Sequence, residues 1–128
     1  MALPATLSPL LVIKLLHTAV WVFFVLCIVA LPITAALRRF RWSLVLAIVV
    51  GIECVVVALN HFYCPLTSFA ERYTTDRAAN FDIYLPVWLA ENNQRIFGTL
   101  FILGGLFALW RWFVFRREAR MRVDSKPC

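Results

Sequence analysis

Charge is what this chain has least of. Only 16% of its 128 residues are charged, while 62% are hydrophobic; soluble domains run near 25% and 45–50%. A water-soluble fold of this length has too small an interior to hide so much apolar surface. Disorder is excluded by the same excess. Four glycines and six prolines are too few for a collagenous or low-complexity chain, and four cysteines too few for a disulfide scaffold. Short catalytic signatures are missing too. The chain contains no Gly-x-Ser-x-Gly, phosphate loop, dinucleotide fingerprint, His-Glu-x-x-His or Cys-x-x-Cys. It has no internal repeat, and nothing names a reaction, so the reading leans away from an enzyme.

What the chain has is three apolar runs, 10–37, 43–63 and 96–115. Each reaches the roughly 20 residues that an α-helix needs to cross the hydrocarbon core of a bilayer. Backbone amides in lipid must be satisfied within the segment, which requires helix, and continuous rather than alternating apolarity argues against a β-barrel. The expected fold is all-α: one integral membrane domain over 1–128, a three-helix bundle with a loop at 64–95 and a basic tail at 116–128.

Basic residues set the expected orientation. The 38–41 turn and the chain from Arg111 onward hold nine Lys and Arg against two acidic residues, whereas 62–95 holds three against four. The positive-inside rule puts the turn and the tail in the cytoplasm, and the N-terminus and long loop outside. The basic tail is then a topology signal that suits anionic lipid; no nucleic-acid partner is expected. The first run lacks a positive leader and is followed by Arg38, Arg39 and Arg41, so it reads as an uncleaved first helix. Within the loop, Cys64-Pro65 is expected to break the second helix. A short helix within 68–79 and an aromatic stretch at 81–89 suit a helical segment at the interface, and Asn92-Asn93 suits the cap of the third helix.

Ionisable side chains at membrane depth are expensive and ask for a reason. With the outer boundary near Pro9 and Phe62, His17 and Glu53 lie roughly 12–14 Å deep, at one level on antiparallel helices. Lys14 is one turn above His17. Asn60 and Cys64 follow Glu53 by seven and eleven residues, and His61 stands beside them, giving a candidate polar seam of Lys14, His17, Glu53, Asn60, His61 and Cys64. The plain alternative is that His17 and Glu53 bond to each other and clamp two helices, with Lys14 and His61 snorkelling. A proton, quinone, haem or metal site is the sharper one. Haem fits poorly, because His17 and His61 differ in depth by roughly 10 Å. Zinc would want about four ligands, and the spacing matches no zinc pattern. No cofactor and no metal are therefore predicted. Cys27 and Cys54 fall within helices as small apolar residues, leaving Cys64 as the outer thiol.

In the third helix Gly98 and Gly105 recur seven apart, and Gly104 and Ala108 form a small-xxx-small pair. Such residues let helices approach closely, within the bundle or against another subunit. Three spans enclose little, so the expected partners are the lipid bilayer and a homo-oligomer or larger membrane complex.

Leu16-His17 leading into Val22-Phe23-Phe24-Val25, then Cys64-Pro65-Leu66-Thr67 with Glu71, then Phe81-Asp82-Ile83-Tyr84-Leu85, occur in this order. This pattern resembles domain-of-unknown-function family 2784, small bacterial inner-membrane proteins with no assigned activity. The likeness runs from about Leu15 to Phe113, with Cys-Pro-Leu-Thr its most specific part. The positions matching the family pattern are His17, Cys64, Pro65, Thr67, Glu71 and Tyr84. The sequence departs from it at Ile83, where a His would precede the Tyr, and at His61, which the pattern does not require. The resemblance implies a multi-pass protein of a bacterial inner membrane and supplies no chemistry.

The leading expectation is thus a non-catalytic accessory or scaffold subunit that packs against partner proteins or lipids. The alternative is a site-bearing protein using His17 and Glu53 for a proton, quinone, haem or metal. A thiol function at Cys64 ranks third.

Overall fold

The computed structural model describes residues 8–78 and 80–127. They form four helices and, among the described residues, no strand: α1 (Pro9–Ala36), α2 (Phe40–Leu59), α3 (Pro65–Ala70) and α4 (Val87–Asp124). Three of these, α1, α2 and α4, are long and apolar enough to cross a membrane. At 38 residues, α4 is about 57 Å long, well beyond a hydrocarbon core of about 30 Å.

Local chemistry explains where each helix starts and stops. Ser8 caps α1, its hydroxyl accepting from the Leu11 amide at 3.2 Å, and Pro9 opens the helix where a missing N–H costs nothing. At the other end Arg38 takes a left-handed conformation (φ 60°). The Arg39 amide then donates to Thr34 and the Arg38 amide to Ala35, the paired bonds of a Schellman stop. Arg111 of α4 supplies a further donor to this end, Nη2 to the Ala36 carbonyl at 3.1 Å.

Three boundaries differ markedly from the expected ones. The second apolar run continues to Tyr63, but α2 ends at Leu59, before Cys64-Pro65 is reached. The stop is conformational: His61 and Phe62 are both left-handed (φ 56° and 66°), and the Phe62 amide donates back to Val57. The third helix starts at Val87 rather than near 96, and it continues through 116–124 of the expected tail. Pro86 is its N-cap and no side chain caps it. Asn92 and Asn93 therefore sit inside the helix, and both are satisfied there. Asn92 donates to the Trp88 carbonyl, and Asn93 accepts from the Trp21 indole at 2.8 Å. The arginine-rich 116–124 stretch stays helical because Arg, Glu and Ala are good helix formers.

α1 is the spine. α2 and α4 each pack along it and meet one another only slightly. Cys27, Ile28 and Val50 form the buried nucleus, with Phe24, Leu46, Phe97 and Phe101 against it. Thr34 and Ser43 share a hydrogen bond of 2.7 Å where α1 and α2 converge. Gly104 is the close-approach residue of α4: a Cβ there would lie 3.4 Å from Pro32 Cδ and 3.5 Å from Leu31 Cδ2. Gly98 and Gly105 differ, since an added Cβ at either meets nothing within 4 Å. Most large apolar side chains point outward, the arrangement expected when the solvent is lipid.

A candidate polar cleft at the loop end of the bundle

The short helix between the second and third long helices is Pro65–Ala70, earlier than the expected 68–79, and turns follow it. Cys64 is extended, as a residue before proline prefers, and Pro65 takes the first helical position. Beyond α3 the chain folds back through turns made by its own side chains. Asp76 accepts from the Ala78 amide, and Asn80 Nδ2 donates to the Leu85 carbonyl at 2.8 Å. This return lays 80–86 across α1 and buries its own Asp82 and Ile83, along with Ala70 of α3.

Asp82 is the centre of the contact. Its Oδ2 lies 3.0 Å from His17 Nδ1 and also accepts from the Thr67 hydroxyl. The ring N–H is not aligned along that line, so the His17 contact is an ion-pair approach rather than a linear hydrogen bond. Burial alone would raise the Asp82 carboxyl. The contacts from His17 and Thr67 outweigh it and hold the group below the usual carboxylate range. At the next residue of α1, the Tyr84 amide donates to Thr18 Oγ1 at 3.0 Å, and Lys14 Nζ sits 4.5 Å from the centre of the Tyr84 ring. Three elements distant in sequence are thereby fastened together: α1, α3 and the 80–86 return.

The expected polar seam is redistributed. His17 turns to Asp82 and not to Glu53. Glu53 stands in the α2 wall of the same cleft, half-buried, with no hydrogen bond or ion pair to any described residue. His61 and Cys64 line the cleft as well, though not through helical spacing from Glu53, because α2 has already ended. Cys64 lies beside His17. Asn60 is used locally, donating to the Tyr63 carbonyl at 2.8 Å, and Lys14 serves Tyr84. Among the described residues no group of three His, Cys, Asp or Glu is placed to hold a metal ion. Cys27 is buried and Cys54 exposed on its helix; Cys128 lies outside the described residues.

Of the positions drawn from the family pattern, His17 and Thr67 meet at Asp82, with Cys64 beside His17, and Tyr84 docks next to them on Thr18. Glu71 is exposed at the cleft mouth, while Pro65 and Leu66 only shape α3. Asp82 is the residue at the centre of this contact that sequence reasoning did not single out. Its signal was a lone carboxylate between Phe81 and Ile83, which burial makes conspicuous only once the fold is known.

The cleft has a volume of about 950 Å³. Its floor is the Val20–Ile28 face of α1, its walls come from α2 and α4, and the 61–85 segment covers one end. Trp21 and Phe97 meet edge to face at 5.4 Å on the α4 side, and Gln94 donates to the Phe62 carbonyl across the top. Chemically the cleft offers an apolar interior with a few polar groups, most of them already paired.

No family model, curated protein or solved structure matches this chain.

Proposed function

We propose that this chain is a non-catalytic accessory subunit of a bacterial cytoplasmic membrane, with the Arg38 turn and the basic end of α4 inside and the 65–86 segment outside. The orientation rests on the uneven placement of Lys and Arg. The bacterial setting rests on the Cys-Pro-Leu-Thr resemblance. One observation carries the accessory role: the buried polar groups at the loop end are committed to one another. Asp82 is engaged by His17 and Thr67, and together they fasten a loop. A pair occupied in this way favours construction over turnover.

The unassigned feature is then apolar surface on α4. Ile102, Gly105, Leu106 and Leu109 fall on one stripe at helical spacing. The three large side chains are exposed, and Gly105 has open space where a Cβ would project. A neighbouring helix could approach closely there. Gly105→Leu is the test, because the added side chain meets nothing within its own chain. In native membranes solubilised in mild detergent, the wild type is expected to migrate as a complex on blue-native gels and Gly105→Leu to release a folded monomer. A wild-type chain that runs alone, unaltered by Gly105→Leu, would remove the reading.

A second reading, a protein with a binding site, is favoured by Glu53. A half-buried carboxylate in the wall of an apolar cleft, with no protein partner, is costly unless something else pairs with it.

A further inference from the structure

We infer that the groove between α2 and α4 binds a hydrophobic organic cation, with the Glu53 carboxylate as its counter-charge. The inference deepens the second reading above and is independent of the assembly proposed for α4.

The shape comes from the fold. Both α2 and α4 pack on α1 but scarcely on each other, so a wedge opens between them down to the α1 face. Trp21 and Phe24 form its floor, Val57 stands on one wall, and Phe97 and Phe101 on the other. About 950 Å³ lies within the usual range for small-molecule sites, which run from about 300 to 1,000 Å³.

The sign of the ligand comes from the charges left over. His17 and Asp82 are spent on each other. Arg77, the one Lys or Arg among the residues that line the cleft, is turned to backbone: Nη1 donates to the Thr74 and Asp76 carbonyls at 2.8 Å, and the guanidinium lies 5.7 Å from the centre of the Phe81 ring. Glu53 remains in the wall, and Glu71 and Glu91 add the same sign at the mouth. An apolar acyl chain could fill the wedge, yet it would leave Glu53 unpaired, and an anion would be repelled. A hydrated metal ion finds no three-ligand group among the described residues and little oxygen to replace its water. A delocalised organic cation meets both demands. Its charge pairs with Glu53, and its apolar body lies on aromatic rings whose faces attract cations.

The experiment measures equilibrium binding of tetraphenylphosphonium to the whole chain in nanodiscs of zwitterionic lipid. Saturable binding is expected for the wild type, with no competition from tetraphenylborate, the anion of the same shape. Glu53→Gln should weaken binding by about tenfold or more, since it removes one partner of a desolvated charge pair. Gly98→Leu should abolish it by filling the groove. Gly98 lines the cleft and an added Cβ meets nothing within 4 Å, so the fold should stand. If Glu53→Gln does not fold, Gly98→Leu decides. Binding that is unchanged in the folded variants, or that tetraphenylborate matches, would mean partition into lipid and overturn the proposal. Neither outcome bears on the oligomeric state that Gly105→Leu reports.

Discussion

Among the described residues, the two ends of the bundle each carry one ion pair, of similar length and different meaning. At the loop end His17 and Asp82 approach to 3.0 Å with side chains 13% and 4% exposed. At the arginine end Arg38 and Glu118 approach to 3.3 Å with side chains 49% and 46% exposed. Separation alone would rank them as near equals. Burial separates them, because a desolvated charge that loses its partner cannot fall back on water, whereas an exposed one can. The loop-end pair joins α1 to a return far away in sequence, so it carries tertiary structure. The arginine-end pair lies beside contacts that already hold α4 in the bundle: Arg111 on the Ala36 carbonyl of α1, and the Phe115 ring against Phe40 of α2.

The largest effect should therefore follow from His17→Ala. It strands the Asp82 carboxylate in a buried position, at a cost of about 3 kcal/mol to docking of the 80–86 return. Hydrogen exchange of the Tyr84 amide, which donates to Thr18, reads that docking directly; unchanged protection would refute the role given to the pair. Acid offers a second handle. The folded Asp82 carboxyl titrates below its unfolded counterpart, so its stabilisation is complete above the unfolded value of about 3.9 and is lost as pH falls through the lower folded value. On Asp82's account, protection at Tyr84 should hold from pH 8 to pH 5 and fail only below about pH 4.

A middle-sized effect is expected from the glycines of α4, which are adjacent in sequence and opposite in role. Gly104→Leu would push a side chain into Pro32 and Leu31, where a Cβ already makes contact, and should cost about 2 kcal/mol of α1–α4 packing. Gly105→Leu should leave the isolated monomer's melting temperature in detergent unaltered. Equal melting of the two variants would show that the close approach at Gly104 is not what joins α4 to the spine.

That contrast also marks how far the sequence could be read. Apolar length was enough to find three spanning helices, because lipid leaves the backbone no other choice. Helix ends were less legible. His61 and Phe62 stop α2 by adopting a conformation that no residue type there announces, and Pro86 opens α4 while Asn92 and Asn93, good caps by type, bond elsewhere. The small residues of α4 were visible as a set, but only packing distinguishes Gly104 from Gly98 and Gly105. Of the polar seam read from the sequence, His17, Glu53, His61 and Cys64 line one cleft, whereas Lys14 and Asn60 do not. The partner of His17 was not foreseen, since helical depth alone matched it to Glu53. Asp82 reaches it from a loop, and loops have no periodicity from which depth or facing can be calculated.

The smallest effect tests the other half of the opening comparison. Glu118→Gln keeps the side chain's size and removes the charge facing Arg38. Both groups are about half exposed, so water replaces much of what is lost. The expected change is below about 0.5 kcal/mol, and it should shrink further as salt is raised. Arg38 would stay in place, because its guanidinium also lies 5.6 Å over the Phe115 ring and its backbone closes the α1 stop. Thermal unfolding in mild detergent at low and high salt measures both quantities. A loss as large as that of His17→Ala, persisting in salt, would mean that burial is not what separates the two pairs. The 38–41 turn would then have to be treated as a second anchored junction.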